Sequence, residues 1–222
     1  MNAEPVTSAC GELLAARRHV VLGVSPFNSY FSEARIAALI RWAAGTFERF
    51  SIYVPDGPSR YTLEALGCAP AKARKKAARQ ARWLFNKIRR ALGENGFSVD
   101  AFSEIVLCSQ MIDDNRAYRV LCDEVETRFA ADAAFRSGCL ETTRWVLEGH
   151  LESGMEATPE MLESAVRHFK AELPLFMDSA AIAGVASSVF AYHQCPDFLR
   201  SLYETRDAGL RPNQGFVIVR DG

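Results

Sequence analysis

HVVLGVSPFNSYFS, residues 19–32, changes character halfway along. Val20, Val21, Leu22 and Val24 form a short, continuous, β-branched run, the pattern of a strand buried on both faces. The run stops at Ser25, Pro26 and Asn28, small polar and turn-forming residues beside Tyr30 and Phe31. Downstream, SEARIAALIRWAAGTFERF (32–50) carries apolar residues at helical spacing, with Ser32 as N-cap and Glu33 in the first turn. SIYVP (51–55) reads as a second strand, closed by Asp56, Gly57 and Pro58. Strand, helix and strand over about 35 residues make a βαβ unit, whose right-handed crossover implies a parallel sheet.

Outward from this unit, the spacing predicts a short helix at 59–66 and a long one at about 71–92. A strand falls within 97–107, followed by helices to about 150 that break at Gly138. Thr158 and Pro159 open a helix, as N-cap and first residue, that runs to Glu172 and stops before Pro174. SSVFAYH (187–193) reads as a strand, DFLRSLYET (197–205) as a helix and GFVIVR (215–220) as a closing strand. This alternation predicts an α/β, Rossmann-like layered fold with a mainly parallel sheet, in a single domain over 1–222. Ligands of such sheets bind outside the carboxyl ends of the strands, where Ser25 falls.

Composition narrows the function classes. The 222 residues are 49% hydrophobic and 24% charged, with net charge −1, ordinary values for a soluble globular protein. The six cysteines (10, 68, 108, 122, 139, 195) are far apart and form no CxxC pair, which argues against a zinc site or a disulfide scaffold. They read as reduced, mostly packed thiols of a cytoplasmic protein. MNAEPVTSACGELLAARR has acidic Glu4 and Glu12 and no sustained apolar segment, so it is not a secretory signal. No stretch approaches a membrane span. GxGxxG and the Walker A lysine are both missing, and neither a cofactor nor a metal is expected.

KARKKAARQARWLFNKIRR (72–90) carries nine Lys or Arg and no acid, which leaves −10 for the remainder of the chain. At 100° per residue, Lys72, Lys75, Lys76, Arg79, Lys87 and Arg90 share one face, with Arg82 and Trp83 among the basic residues. Ala73, Ala77, Ala81, Leu84, Ile88 and Leu92 share the other. A solvated face usually mixes signs to gain i,i+4 pairs, whereas like charges on one stripe repel. A polyanion would relieve that repulsion by displacing counterions, so the stripe reads as a nucleic-acid contact aimed at the backbone.

Gly23-Val24-Ser25-Pro26-Phe27 is not the GxSxG elbow, because Phe27 stands where the last glycine belongs. By spacing alone, Ser25 is a cap or turn residue at least as readily as a nucleophile. The motifs taken together add more. GVSPFNSYFS (23–32), AELPLF (171–176) and SSVFAYH (187–193) resemble, in order, three motifs of the cyclodipeptide synthases. These are Rossmann-like enzymes similar to class I aminoacyl-tRNA synthetase catalytic domains, and they join two aminoacyl-tRNAs into a diketopiperazine. The resemblance implies a nucleophilic Ser25, a catalytic Glu172 and a catalytic Tyr192, with the basic helix holding tRNA and no further ATP consumed.

The same resemblance implies an amino-acid pocket drawing on Val21, Gly23, Leu175 and Phe190, with Tyr53 at a strand end facing it. Gly23 is expected to admit substrate close to the backbone. Asn28 is expected to help stabilise charge developing on the carbonyl. Asn28 together with Tyr192-His193 resembles the subfamily with asparagine in the first motif. One position departs: His168 stands where the family usually has a tyrosine, one helical turn before Glu172, and its charge is expected to vary with pH. His19 and His150 read as structural. The implied partners are two aminoacyl-tRNAs, with no membrane and with possible downstream tailoring enzymes. Two other readings stay open: a serine esterase or acyltransferase, which needs a His and an acid to complete a triad, and a non-catalytic tRNA-binding module.

Overall fold

The computed structural model describes residues 1–152 and 154–220, and the backbone alone at 110 and 111. The opening strand forms as β2 (His19–Gly23), buried along its whole length. Helix α2 (Glu33–Thr46) follows, and Ser32 caps it by accepting from the Arg35 N–H at 3.2 Å. The helix ends four residues earlier than its periodicity predicts, at Thr46. Arg49 and Phe50 are instead drawn into β3 (Arg49–Tyr53), where they pair with His19 and Val20. Before this unit lie β1 (Asn2–Pro5) and α1 (Ser8–Ala16).

After β3 come α3 (Ser59–Ala65) and α4 (Pro70–Glu94), the basic helix, with proline in its first turn. Its alanine face packs inward: Ala73, Ala77, Ala81, Leu84, Ile88 and Leu92 are all buried. The strand expected within 97–107 contracts to β4 (Val106–Leu107), because Ala101–Ile105 coils into α5. Helix α6 (Ser109–Ile112) leads to α7 (Arg116–Ala131) and α8 (Ala133–Glu148), capped by Asn115 and Asp132.

Two predicted breaks are absent. Gly138 lies inside α8, where a Cβ would stand 2.1 Å from the Phe198 ring. It is a site of close helix approach, not a terminus. Helix α9 (Pro159–Ala183) starts at the Thr158 cap as expected but continues through Pro174. Leu173, Leu175, Phe176 and Met177 carry its apolar surface on into the core, and the irregularity comes later, at Asp178 (φ −159°, ψ 66°). Asp178 then accepts from the Ala181 N–H at 2.9 Å and recaps the final turns.

Then come β5 (Ser188–Tyr192), α10 (Asp197–Glu204) and β6 (Gln214–Arg220). The sheet runs β1-β6-β5-β2-β3-β4, and every pairing is parallel except β1 with β6. The chain moves from β2 outward through β3 to β4, then returns to set β5 on the other side of β2. That reversal opens a crevice at the carboxyl ends of β2 and β5. The mainly parallel α/β architecture is as predicted. The antiparallel β1 is an addition: Asn-Ala-Glu-Pro has no strand pattern and is recruited by the edge of β6.

Candidate active site

Backbone pairing carries β2 one residue past its end, with the Val24 N–H donating to the Tyr53 carbonyl at 2.9 Å. The chain then turns through Ser25, Pro26 and Phe27. Phe27 has φ 66°, the left-handed region that disfavours a side chain. Its ring packs against the small cluster of Leu63, Ala73 and Ala77 between α3 and α4, which holds the strained turn. The backbone at Phe27 has the twist a glycine would adopt freely, and packing enforces it instead.

Across the crevice, Ser25 Oγ and Tyr192 Oη stand 2.9 Å apart. Burial and the nearby Glu172 charge raise the Tyr192 phenol to about 12, while its bond to Ser25 pulls the other way. The phenol is therefore a donor and orienter at neutral pH, not a base. Among the described residues, no imidazole hydrogen-bonds Ser25. Asn28 Oδ1 accepts from the Tyr30 N–H at 2.9 Å, and its Nδ2 lies 3.5 Å from His193 Nε2. The His193 ring stacks on Tyr30 at 4.2 Å. The signal for this aromatic brace was present in the sequence as Tyr30, Phe31 and the Tyr192-His193 pair.

A second polar group lies deeper. Glu172 keeps 20% of its side-chain surface, and desolvation raises its carboxyl to about 8. His168 Nε2 is 3.8 Å from Glu172 Oε1, and His168 Nδ1 is 2.8 Å from Thr62 Oγ1. Burial holds the His168 ring down to about 4. Burial thus favours the neutral imidazole over the variable charge expected of it. Tyr53 is buried, and among the described residues its hydroxyl has no partner. Tyr118 donates to the Ala171 carbonyl at 2.9 Å and so braces the turn of α9 that presents Glu172. Spacing pointed to neither Thr62 nor Tyr118, because both act from helices remote in sequence.

Gly23 has a packing role. A Cβ there would stand 2.7 Å from the Phe190 ring and 3.0 Å from the Tyr192 ring, so the glycine makes room for two aromatics of the protein itself. Val21, Leu175 and Phe190 are packed core beneath the crevice. None of the three lines the cavity beside Ser25.

That cavity, about 320 Å³, joins Ser25, Asn28 and Phe31 to Gln80, Trp83, Lys87 and Arg90 of α4. The basic helix is therefore one wall of the site that Ser25 opens into. Lys72, Lys75, Arg79 and Arg82 are exposed, and among the described residues none of them is ion-paired. Lys76 lies 5.9 Å from the Phe27 ring and Arg79 is 5.5 Å from Trp83, itself 55% exposed. The far end of the stripe is tied down. Lys87 Nζ donates to the Phe31 carbonyl at 3.2 Å, and Arg90 grips Glu33 through three contacts of 2.6–2.9 Å.

Among the described residues no disulfide joins the six cysteines; Cys10 and Cys139 are buried and the others half-buried. Among the described residues, no helix is long and apolar enough to cross a membrane.

Comparison with known proteins agrees with this arrangement. The cyclodipeptide synthase family model matches residues 1–221. A cyclo(L-leucyl-L-leucyl) synthase of Bacillus subtilis is 34% identical over 99% of this chain and 89% of its own length. A cyclodipeptide synthase from Bacillus thermoamylovorans superposes with TM-score 0.90 at 28% identity, covering 100% of this chain and 96% of that one. A Mycobacterium tuberculosis protein, 32% identical with TM-score 0.86 over 99% of this chain and 93% of its own, is described as relating such enzymes to type I tRNA synthetases. With its crevice, its ordered motifs and a full-length match to the family model, this chain belongs to the cyclodipeptide synthase family.

Proposed function

We propose that this chain makes a diketopiperazine from two aminoacyl-tRNAs through an aminoacyl ester on Ser25. The observation that carries the reading is the 2.9 Å contact of Ser25 Oγ with Tyr192 Oη at the strand switch, opening onto a cavity walled by the basic helix. An aminoacyl-tRNA is an activated ester, so a hydroxyl fixed at the mouth of such a cavity suits acyl transfer. Ser25 Oγ bonds to the aminoacyl carbonyl carbon, the ester bond to the tRNA breaks, and the departing ribose oxygen takes the serine proton. The α-amine of a second aminoacyl-tRNA then attacks that ester carbonyl and gives up a proton as the bond to Ser25 Oγ breaks, so Ser25 regains its proton and a dipeptidyl-tRNA is left. The free amine of the dipeptide attacks the remaining tRNA ester, which closes the ring, and the departing ribose oxygen of the second tRNA takes the amine's proton.

Glu172 suits the role of base for the amine, because an ammonium cannot attack until it loses a proton. Its dry surroundings raise its proton affinity towards that of an amine. Tyr192 orients Ser25 and relays a proton, and the Asn28 amide faces the same crevice. We assign the chain to the subfamily with asparagine in the first motif, a reading supported by the approach of Asn28 to His193. Use of charged tRNA fits a cytoplasmic enzyme, and the product is a ready substrate for tailoring enzymes.

Intact-mass spectrometry after mixing with aminoacyl-tRNA tests the reading. The native protein is expected to gain the mass of one aminoacyl group, and Ser25→Ala to gain none while still folding. Culture medium from cells making the native protein is expected to contain a diketopiperazine that the variant does not make. An acylated Ser25→Ala protein, or diketopiperazine made by it, would overturn the assignment. A small ester turned over without tRNA would point to the esterase, which is disfavoured because no imidazole among the described residues bonds Ser25.

A further inference from the structure

We propose that Thr62 is a positioning residue for the amine step. Its hydroxyl oxygen accepts from His168 Nδ1–H, so that the Nε2 lone pair faces the substrate's α-ammonium beside Glu172. This rests on reading the Glu172 cluster as the amine site.

Three observations converge. Thr62 Oγ1 lies 2.8 Å from His168 Nδ1, and the pair joins α3 to α9. The opposite ring nitrogen, Nε2, is buried without a partner and stands 3.8 Å from Glu172 Oε1. The hydroxyl of Tyr53 is likewise buried and, among the described residues, unpartnered. Buried polar atoms are rarely left unpaired without a functional reason.

The geometry selects a tautomer. A neutral imidazole donates from one nitrogen and accepts at the other. A substrate α-ammonium only donates, so every group facing it has to accept. Glu172 does so as a carboxylate. His168 does so only when Nε2 is bare, which puts the ring proton on Nδ1 and makes Thr62 the acceptor. In the other tautomer an Nε2–H would confront an N–H of the substrate. The groups around the ring are Thr62 on α3 and Glu172 on α9, with the charge of His150 also felt.

The chain thereby meets the need of a site that usually has a tyrosine at this position. A phenol can both donate and accept without a fixed tautomer, whereas an imidazole needs one ring nitrogen committed elsewhere. Thr62 supplies that commitment.

Nitrogen NMR of the substrate-free protein labelled at histidine, with His168→Phe identifying the resonances, reads the tautomer directly. The native ring is expected to carry its proton on Nδ1. In Thr62→Val, which keeps the side-chain shape but loses the oxygen, it is expected to redistribute towards Nε2. Steady-state kinetics on the same proteins should show KM for aminoacyl-tRNA raised about tenfold or more by Thr62→Val, with kcat changed less. Thr62→Ser should restore both the tautomer and KM, which a purely space-filling role would not predict. A native ring protonated on Nε2, an unchanged KM in folded Thr62→Val, or failure of Thr62→Ser to rescue overturns the proposal. A native protein that makes no diketopiperazine overturns the function reading instead, and the tautomer is read independently of that result.

Discussion

At the scale of single residues, the site depends on how dry surroundings reset proton affinities. Glu172 titrates near 8 because burial penalises its charged form. A base has to be deprotonated, so kcat/KM is expected to climb about tenfold per pH unit below about 8 and to level off above it. Glu172→Gln removes that rising arm and lowers kcat/KM by about 10²- to 10⁴-fold, the usual worth of a general base. A pH–rate series on both proteins checks this, and an arm surviving in Glu172→Gln would assign it to another group. The place of Ser25 was legible because a β-branched run ending in turn residues fixes a strand end. The Phe27 strain was not, because a left-handed non-glycine is held by contacts with α3 and α4. Thr62 was hidden for the same reason: its partner is 106 positions away.

At the scale of elements, α4 divides its stripe between two tasks. Its alanine face approaches α2 and α3 closely, while Lys72, Lys75, Lys76, Arg79 and Arg82 face outward and Arg90 is spent on Glu33. Replacing Lys75, Lys76 and Arg79 with Ala is expected to weaken binding to every tRNA. If each contacts a phosphate, the slope of log affinity against log salt falls by about two. Arg90→Ala should flatten that slope less, since Glu33 already neutralises its charge. Filter binding across a salt series separates the two, and equal effects would refute the division. The amphipathic pattern of α4 was readable because period and composition agreed over 25 residues. Gly138 and Pro174 misled for a shared reason. Local rules make them breakers, but packing overrode both, through the Phe198 ring at one and the core-bound face of α9 at the other.

At the scale of the whole molecule, the same burial sets how stability responds to pH. The folded chain holds His19, His168 and His193 near 4, whereas an unfolded chain titrates them near 6.5. Below 6.5 the unfolded state takes up protons the fold refuses, so stability falls as pH drops towards 4. Glu172 works in the opposite sense. Its folded value near 8 exceeds the ordinary 4.5, so the unfolded state releases a proton the fold retains, and stability falls as pH rises from 4.5 to 8. Between 4.5 and 6.5 three imidazoles outweigh one carboxyl. Above 6.5 the carboxyl acts alone, at up to about 1.4 kcal/mol per pH unit. Maximum stability is therefore expected near pH 6.5. Urea unfolding across this range should show Glu172→Gln rising more steeply than the native protein from 4.5 to 6.5, because the opposing carboxyl is gone, and flat from 6.5 to 8 where the native midpoint declines. Above that window Cys139 and Cys195, raised to about 12 by burial, destabilise both proteins alike. If the native midpoint held steady from 6.5 to 8, the folded carboxyl would have to be ionised already, and Glu172 would lose the proton affinity that fits it to accept a proton from an amine.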